Sequence, residues 1–321
     1  MRTFIKLIYF SLILISCQEE DIQISDTGRK IVINGLITTD SLINVNLSQS
    51  IYITDAFNVE EKLLNEATAY ISESSSRIDT LQYNFDGYIN LGVDIYVPSN
   101  FWSKKVFPKA GHEYKIEVKS GNLPLATSTT LIPNLVKIEK VDTTLIILPG
   151  TFEEWESNVR LRCDIEFIDP INEKNYYLLY IYKVPNYNIE ANNIAFLCQD
   201  PVVEEKLEHG TIMEGVAFSD KSINGQKYRL QITLDGRELG MPFYDDTNLY
   251  LYPSEYHHKA IYFRLYSITE EYFKYIQTLN LFYKNFNNPL AEPTQVYSNV
   301  EGGYGIFAGA AVSSDSLVFT F

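Results

Sequence analysis

The chain has 321 residues, with 41 Asp and Glu against 26 Lys and Arg and a formal charge of −15. That balance makes nucleic acid and anionic lipid faces poor partners, because both repel it. A hydrophobic share of 45% can fill real cores, and 24 Tyr and 18 Phe beside many β-branched residues favour strands.

Taken in order, residues 1–16 read as a signal peptide: Arg2 and Lys6, an apolar run from Leu7 to Ile15, then Ser16. The run is too short for a spanning helix, which needs about 20 residues. Leu14-Ile15-Ser16-Cys17 resembles the bacterial lipobox, which implies a lipid on the Cys17 thiol and Cys17 as the first mature residue. Gln18-Glu19-Glu20-Asp21 resembles the acidic tag of Bacteroidota lipoproteins carried to the outer face of the outer membrane; a solvated tether is the blander reading. Residues 17–29 are thus expected to be a tether, and the protein to be lipid-anchored in the outer membrane and exposed at the cell surface.

From residue 30 to 133 the pattern is short strands with turns between them. Ile43-Asn-Val45-Asn-Leu47, Ala67-Thr-Ala69-Tyr-Ile71 and Tyr114-Lys-Ile116-Glu-Val118 alternate with period two, and Asp86-Gly87 marks a hairpin. Such spacing predicts an N-terminal β-sandwich. Phe101-Trp102 falls between these strands, in a loop. The interval from Pro133 to Gly150, bounded by prolines, is read as the boundary to a second domain, 134–321, β-rich with one helix. The expected fold is mainly β: two Ig-like sandwiches.

In the second domain Val159-Arg-Leu161-Arg-Cys163-Asp-Ile165-Glu-Phe167 places Cys163 on an apolar strand face. With Cys198 it allows a disulfide in an oxidising compartment, and a buried free thiol fits equally well. Ser267-Ile-Thr-Glu270 matches a capping box. Behind it Tyr272, Ile276, Leu279 and Tyr283 form the buried stripe of a helix over 269–286, stopped by Asn287-Asn288-Pro289. The closing glycines predict a bend where another backbone comes close.

The layout resembles the Bacteroidota lipoprotein family of domain of unknown function 4249. The resemblance rests on the lipobox at Cys17, the Ile31-Val-Ile-Asn-Gly35 strand, the helix, and above all Ser298-Asn299 followed by Gly302-Gly303-Tyr304-Gly305-Ile306-Phe307. It implies an accessory partner of a TonB-dependent outer-membrane receptor in nutrient uptake, with a small ligand such as a glycan, peptide or chelate. It supplies no catalytic residue.

Residue types add little chemistry. Gly303-Tyr-Gly305-Ile-Phe-Ala308 matches a dinucleotide fingerprint in letters only, with no βαβ unit to follow it. His257 and His258 would point to opposite faces of a strand. No enzyme, cofactor or metal is expected; a surface hydrolase built on paired carboxylates is the lesser alternative, and a structural or assembly lipoprotein the nearer one. Candidate binding residues are Phe101, Trp102 and Trp155, aromatic side chains at sandwich ends.

Overall fold

A computed structural model describes residues 28–51, 63–84, 88–90, 96–98, 101–149, 158–183, 192–203, 212–213, 215–239, 243–244, 249–250, 260–286 and 291–318. The signal peptide, Cys17, nearly all of the tether and Trp155 lie outside them. Among the described residues the chain is mainly β, as its period-two patterns predict, with one long helix. Its first strands are β1 (Ile31–Thr38), β2 (Asn44–Gln49), β3 (Thr68–Glu73), β4 (Ser76–Tyr83), β5 (Tyr88–Asn90), β6 (Tyr96–Pro98), β7 (Phe101–Trp102), β8 (Glu113–Lys119), β9 (Ala126–Leu131) and β10 (Ile138–Ile147). There follow β11 (Val159–Ile168), β12 (Tyr176–Lys183), β13 (Asn192–Asn193), β14 (Phe196–Cys198), β15 (Ile212–Met213), β16 (Gly215–Ser219) and β17 (Lys227–Asp235). Last come β18 (Phe243–Tyr244), β19 (Leu249–Tyr250), β20 (Ala260–Ile268), helix α1 (Glu270–Phe286) and β21 (Tyr304–Val318).

One 12-stranded sheet runs β13-β12-β20-β21-β1-β2-β7-β4-β3-β8-β9, with β16 also beside β12; a 5-stranded sheet runs β10-β11-β17-β14-β15. The first core forms because the long sheet curls on itself. Ile31, Ile33, Val45, Leu47, Ile71, Ile116 and Val118 alternate inward. The curl is shut by a two-way bridge, Thr127 N–H to Glu301 O at 3.0 Å and Glu301 N–H to Thr127 O at 2.8 Å. The second core lies between the two sheets, Leu161, Ile165, Phe167, Leu230 and Ile232 facing Leu179, Ile181, Phe263 and Leu265.

These cores meet in β21, which pairs in parallel with β1 on one edge and antiparallel with β20 on the other. Phe307 and Ala311 enter the first core and Leu317 lies against the second, while Ile306, Ala308 and Ala310 face α1. The chain crosses between cores at residues 133–137, held by Val136 N–H to Ser267 Oγ at 3.2 Å and Ile138 N–H to Ser313 Oγ at 2.9 Å.

Two local expectations are corrected and one interval gains a strand. Phe101-Trp102 is a strand, because it pairs with β2 on one side and β4 on the other, which seats Phe101 at 1% exposure in the first core. The interval after Pro133 holds β10, whose Val141, Thr143 and Leu145 pair in register with Ile165, Cys163 and Leu161. The helix cap is Thr269, whose hydroxyl accepts Tyr272 N–H at 3.2 Å, while Ser267 remains in β20. On α1, Tyr272 and Leu279 are buried as the stripe predicts; Phe273 and Tyr275 join them, and Tyr283 is exposed.

Candidate functional site

The Ser298–Phe307 stretch is structural in its contacts. The β20 ladder along β21 begins only at Ala310, so Phe307 has no strand partner on that side. The Asn299 carboxamide takes the place of one: its Nδ2 donates to Phe307 O at 2.8 Å and its Oδ1 accepts Phe307 N–H at 3.0 Å. The Asn299 carbonyl accepts the Ser128 hydroxyl at 3.0 Å, and Ser298 Oγ accepts Val300 N–H at 3.3 Å. The expected close approach is there too. Gly305 sits at φ +101°, where a Cβ would stand 2.1 Å from Ile33 O, and Gly302 at φ +71°, where it would stand 2.2 Å from Leu125 O. A Cβ on Gly303 would lie 2.5 Å from Ile31 O.

Cys163 and Cys198 are both free and buried. Each is the register partner of Ile232, from opposite edges of β17. They are therefore two strand spacings apart, about 10 Å, beyond the roughly 7 Å reach of a disulfide. Burial pushes the Cys163 thiol up to about 12 and the Cys198 thiol up to about 11, so both are inert. Of the aromatic candidates, Phe101 is closed to ligand by the core, and Trp102, on the opposite face of the strand, is only half-buried.

A richer group lies on the outer face of β12 and β20, away from the second core. Cross-strand register brings Tyr180 opposite Arg264 and Tyr182 opposite Tyr262, with Leu178 opposite Tyr266. The Arg264 guanidinium stands 5.6 Å from the Tyr182 ring centre and 5.1 Å from that of Tyr266, and pairs with the Asp40 carboxylate from the turn after β1. Tyr180 meets Tyr266 edge-on at 5.9 Å and Tyr182 at 6.0 Å. The Tyr182 and Tyr266 hydroxyls are 3.4 Å apart. Gly215 gives Tyr180 room, since a Cβ there would sit 2.4 Å from its ring.

Burial, then the neighbouring Tyr266, raises the Tyr182 phenol far above its ordinary value, so it stays a neutral donor and acceptor. Tyr262, 38% exposed, and Asp40 form the rim. The arrangement offers aromatic faces, hydroxyls, a fixed cation and a carboxylate on rigid strands. Of these side chains, Tyr180 and Tyr266 also pack beside α1. The sequence carried half of the signal, tyrosines two apart in β12; nothing local joins them to Arg264 and Asp40.

A second polar group is centred on a buried carboxylate. Tyr177 donates to Asp169, which also accepts Gly225 N–H at 2.9 Å, and Asp220 accepts Asn175 N–H at 2.8 Å. Asp169 is 1% exposed. Burial raises its carboxyl, Tyr177 and Gly225 oppose that, and the Asp220 charge adds to it. Among the described residues no group of three or more His, Cys, Asp or Glu could hold a metal ion, and no helix is long and apolar enough to cross a membrane.

The family model described as a domain of unknown function, DUF4249, matches residues 18–316. No curated protein matches the chain. Among solved structures, a chain titled biofilm associated protein, B domain, aligns over 90% of this chain and 85% of its own, at 10% identity and a TM-score of 0.24, too slight to carry an argument.

Proposed function

Since the chain belongs to the family of domain of unknown function 4249, we propose that it is a surface lipoprotein of the outer membrane that serves a TonB-dependent receptor. Its anchor is the lipid on Cys17. Residues 30–133 and 134–321 act as two Ig-like sandwich domains that display a binding surface, and no bond is made or broken there. The patch of Tyr180, Tyr182, Arg264 and Asp40 holds a small ligand, a glycan, peptide or chelate, for the receptor.

The observation that carries this reading is the position of β1. The first described strand after the tether lies inside the long sheet, paired with β2 on one edge and with the last strand, β21, on the other. A pull on the anchor is thus met in shear by hydrogen bonds on both edges of β1 and passed to both cores, which suits a body displayed from a membrane.

The test combines the anchor and the partner. The native protein should carry an acyl mass, fractionate with outer membranes and bring down a receptor barrel after gentle solubilisation. Cys17→Ala should release it from the membrane. Equal retention of the Cys17→Ala chain, with no acyl mass on the native one, removes the anchor reading. An anchored protein that comes down alone removes the receptor reading and leaves the structural or assembly alternative.

A further inference from the structure

β10 is an edge strand of the 5-stranded sheet: among the described residues it pairs with β11 on one side and with no strand on the other. Edges of this kind are normally blunted by charge, proline or bulges, because a row of open N–H and C=O groups templates another strand. Here Lys140, Asp142 and a register shift between Ile138 and Lys140 guard the first half of the strand, and Pro149 follows its far end. The stretch Thr143-Thr144-Leu145-Ile146-Ile147 is uncharged, without proline or glycine, and four of its five residues are β-branched. Leu145 and Ile147 point to the core side, opposite Leu161 and Val159, yet each is 54% exposed. Their apolar surface extends beyond the cover that the described residues supply.

We propose that two copies of this chain join edge to edge through β10, antiparallel about Thr143, so that two 5-stranded sheets become one. The strand is complementary to itself in that register. On the core side Val141 faces Leu145 of the second copy, twice by symmetry, and Thr143 faces Thr143, a favourable cross-strand pair. On the outer side Lys140 faces Ile146 and Asp142 faces Thr144, so no charge lies directly opposite a like charge; the two Asp142 carboxylates are diagonal neighbours, each paired with its own Lys140 at 2.7 Å. Shifting the register by one step in the centre, to Asp142 on Asp142, sets two carboxylates together and is disfavoured. The symmetry is that of an isologous dimer, the same patch on both copies. With a charge of −15 on each chain, long-range repulsion opposes the encounter. Added salt therefore tightens the dimer by screening over about 8–10 Å.

The test uses the full-length Cys17→Ala chain, so that no lipid drives association. Sedimentation velocity should show a monomer–dimer equilibrium that shifts towards dimer with salt. Thr143→Lys with Leu145→Lys, which sets lysine against lysine on the axis, should raise the dissociation constant at least about tenfold, as expected when 1.4 kcal/mol or more is lost. A second arm places a thiol on the symmetry axis. Thr143→Cys in a Cys163→Ala background, needed because Cys163 is the register partner of Thr143, should give covalent dimers under mild oxidation, while Lys140→Cys in the same background should not. A monomer at every concentration with no cross-link at position 143 overturns the proposal. So does a dimer that survives the lysine pair and does not cross-link there. Loss of receptor capture by the lysine pair in a chain that stays monomeric also overturns it, assigning the edge to a foreign strand.

Discussion

The core of β1–β9 and the core between β11, β17, β12 and β20 both bury tyrosines that donate to carboxylates, and they shift those carboxyls in opposite directions. In the first, Tyr114 donates to Glu73 at 2.9 Å at a half-open end, where His112 Nδ1 lies 2.7 Å from the same oxygen. Burial works against the Glu73 charge, but the bonds from Tyr114 and His112 outweigh it and hold the carboxyl below its ordinary value. In the second, Tyr177 donates to Asp169, which is closed off from water and near Asp220, and there burial wins and the carboxyl is raised. The same bond therefore stabilises a charge in one place and merely softens its cost in the other. Burial and the sign of the next charge decide between them.

What the two regions share is β21, and the largest predicted effect strikes it. Gly305→Val should destabilise the protein by about 4 kcal/mol or more, since a side chain at positive φ would also overlap Ile33 O. Denaturant unfolding followed by hydrogen exchange should show both cores weakened. Protection lost in the first core alone would mean that the shared strand does not couple them. Next, Phe307→Ala in the first core and Phe263→Ala in the second should each cost about 3–5 kcal/mol. Both changes should lower one common transition. Two resolved transitions, each answering to one variant, would divide the molecule in two.

Smaller changes sharpen the contrast between the tyrosines. Tyr177→Phe leaves a buried carboxylate short of a donor and should cost about 1–3 kcal/mol, whereas Tyr114→Phe, beside water and His112, should cost about 0.5–1.5 kcal/mol. Equal losses would erase the distinction drawn here. Thr269→Ala, which removes the cap of α1, should cost about 1 kcal/mol and leave both tyrosine sites unchanged in chemical shift.

The finest contrast is one of sign with pH. Glu73 has a lowered folded-state value, so its contribution is present above the unfolded value and fades as pH falls through the folded one; Glu73→Gln should remove acid sensitivity. Asp169 has a raised value, so stability falls as pH climbs from near its ordinary 3.8 through the folded value; Asp169→Asn should flatten that fall. Stability measured against pH for the two variants checks both. Slopes of the same sign would contradict the contrast.

Much of the fold was legible where a signal is local. Alternation in Ile43–Leu47, Tyr114–Val118 and Val159–Phe167 marks strands because one face of each must be apolar, and the glycines at 302, 303 and 305 announced a crowded backbone. Phe101-Trp102 was not legible as a strand, since two residues have no period; β2 and β4 make them one. Ser267 looked like a cap because a hydroxyl three residues before a glutamate fits that role in any helix. The actual start, Thr269, depends on how far β20 runs beside β21. The patch at Arg264 was half visible in the tyrosines and otherwise hidden, because Asp40 reaches it from a distant part of the chain.

Residue type, spacing and motif are enough for the β character, the helix that became Glu270–Phe286, the inward faces of the strands and membership of the family. Long-range packing is what lays the last strand between the first and the twentieth, sets Cys163 and Cys198 on either side of Ile232 out of each other's reach, and fixes the direction in which each buried carboxyl shifts. Those outcomes depend on which distant segments share an edge and on how much water they leave behind, and neither is encoded within any one stretch of the chain.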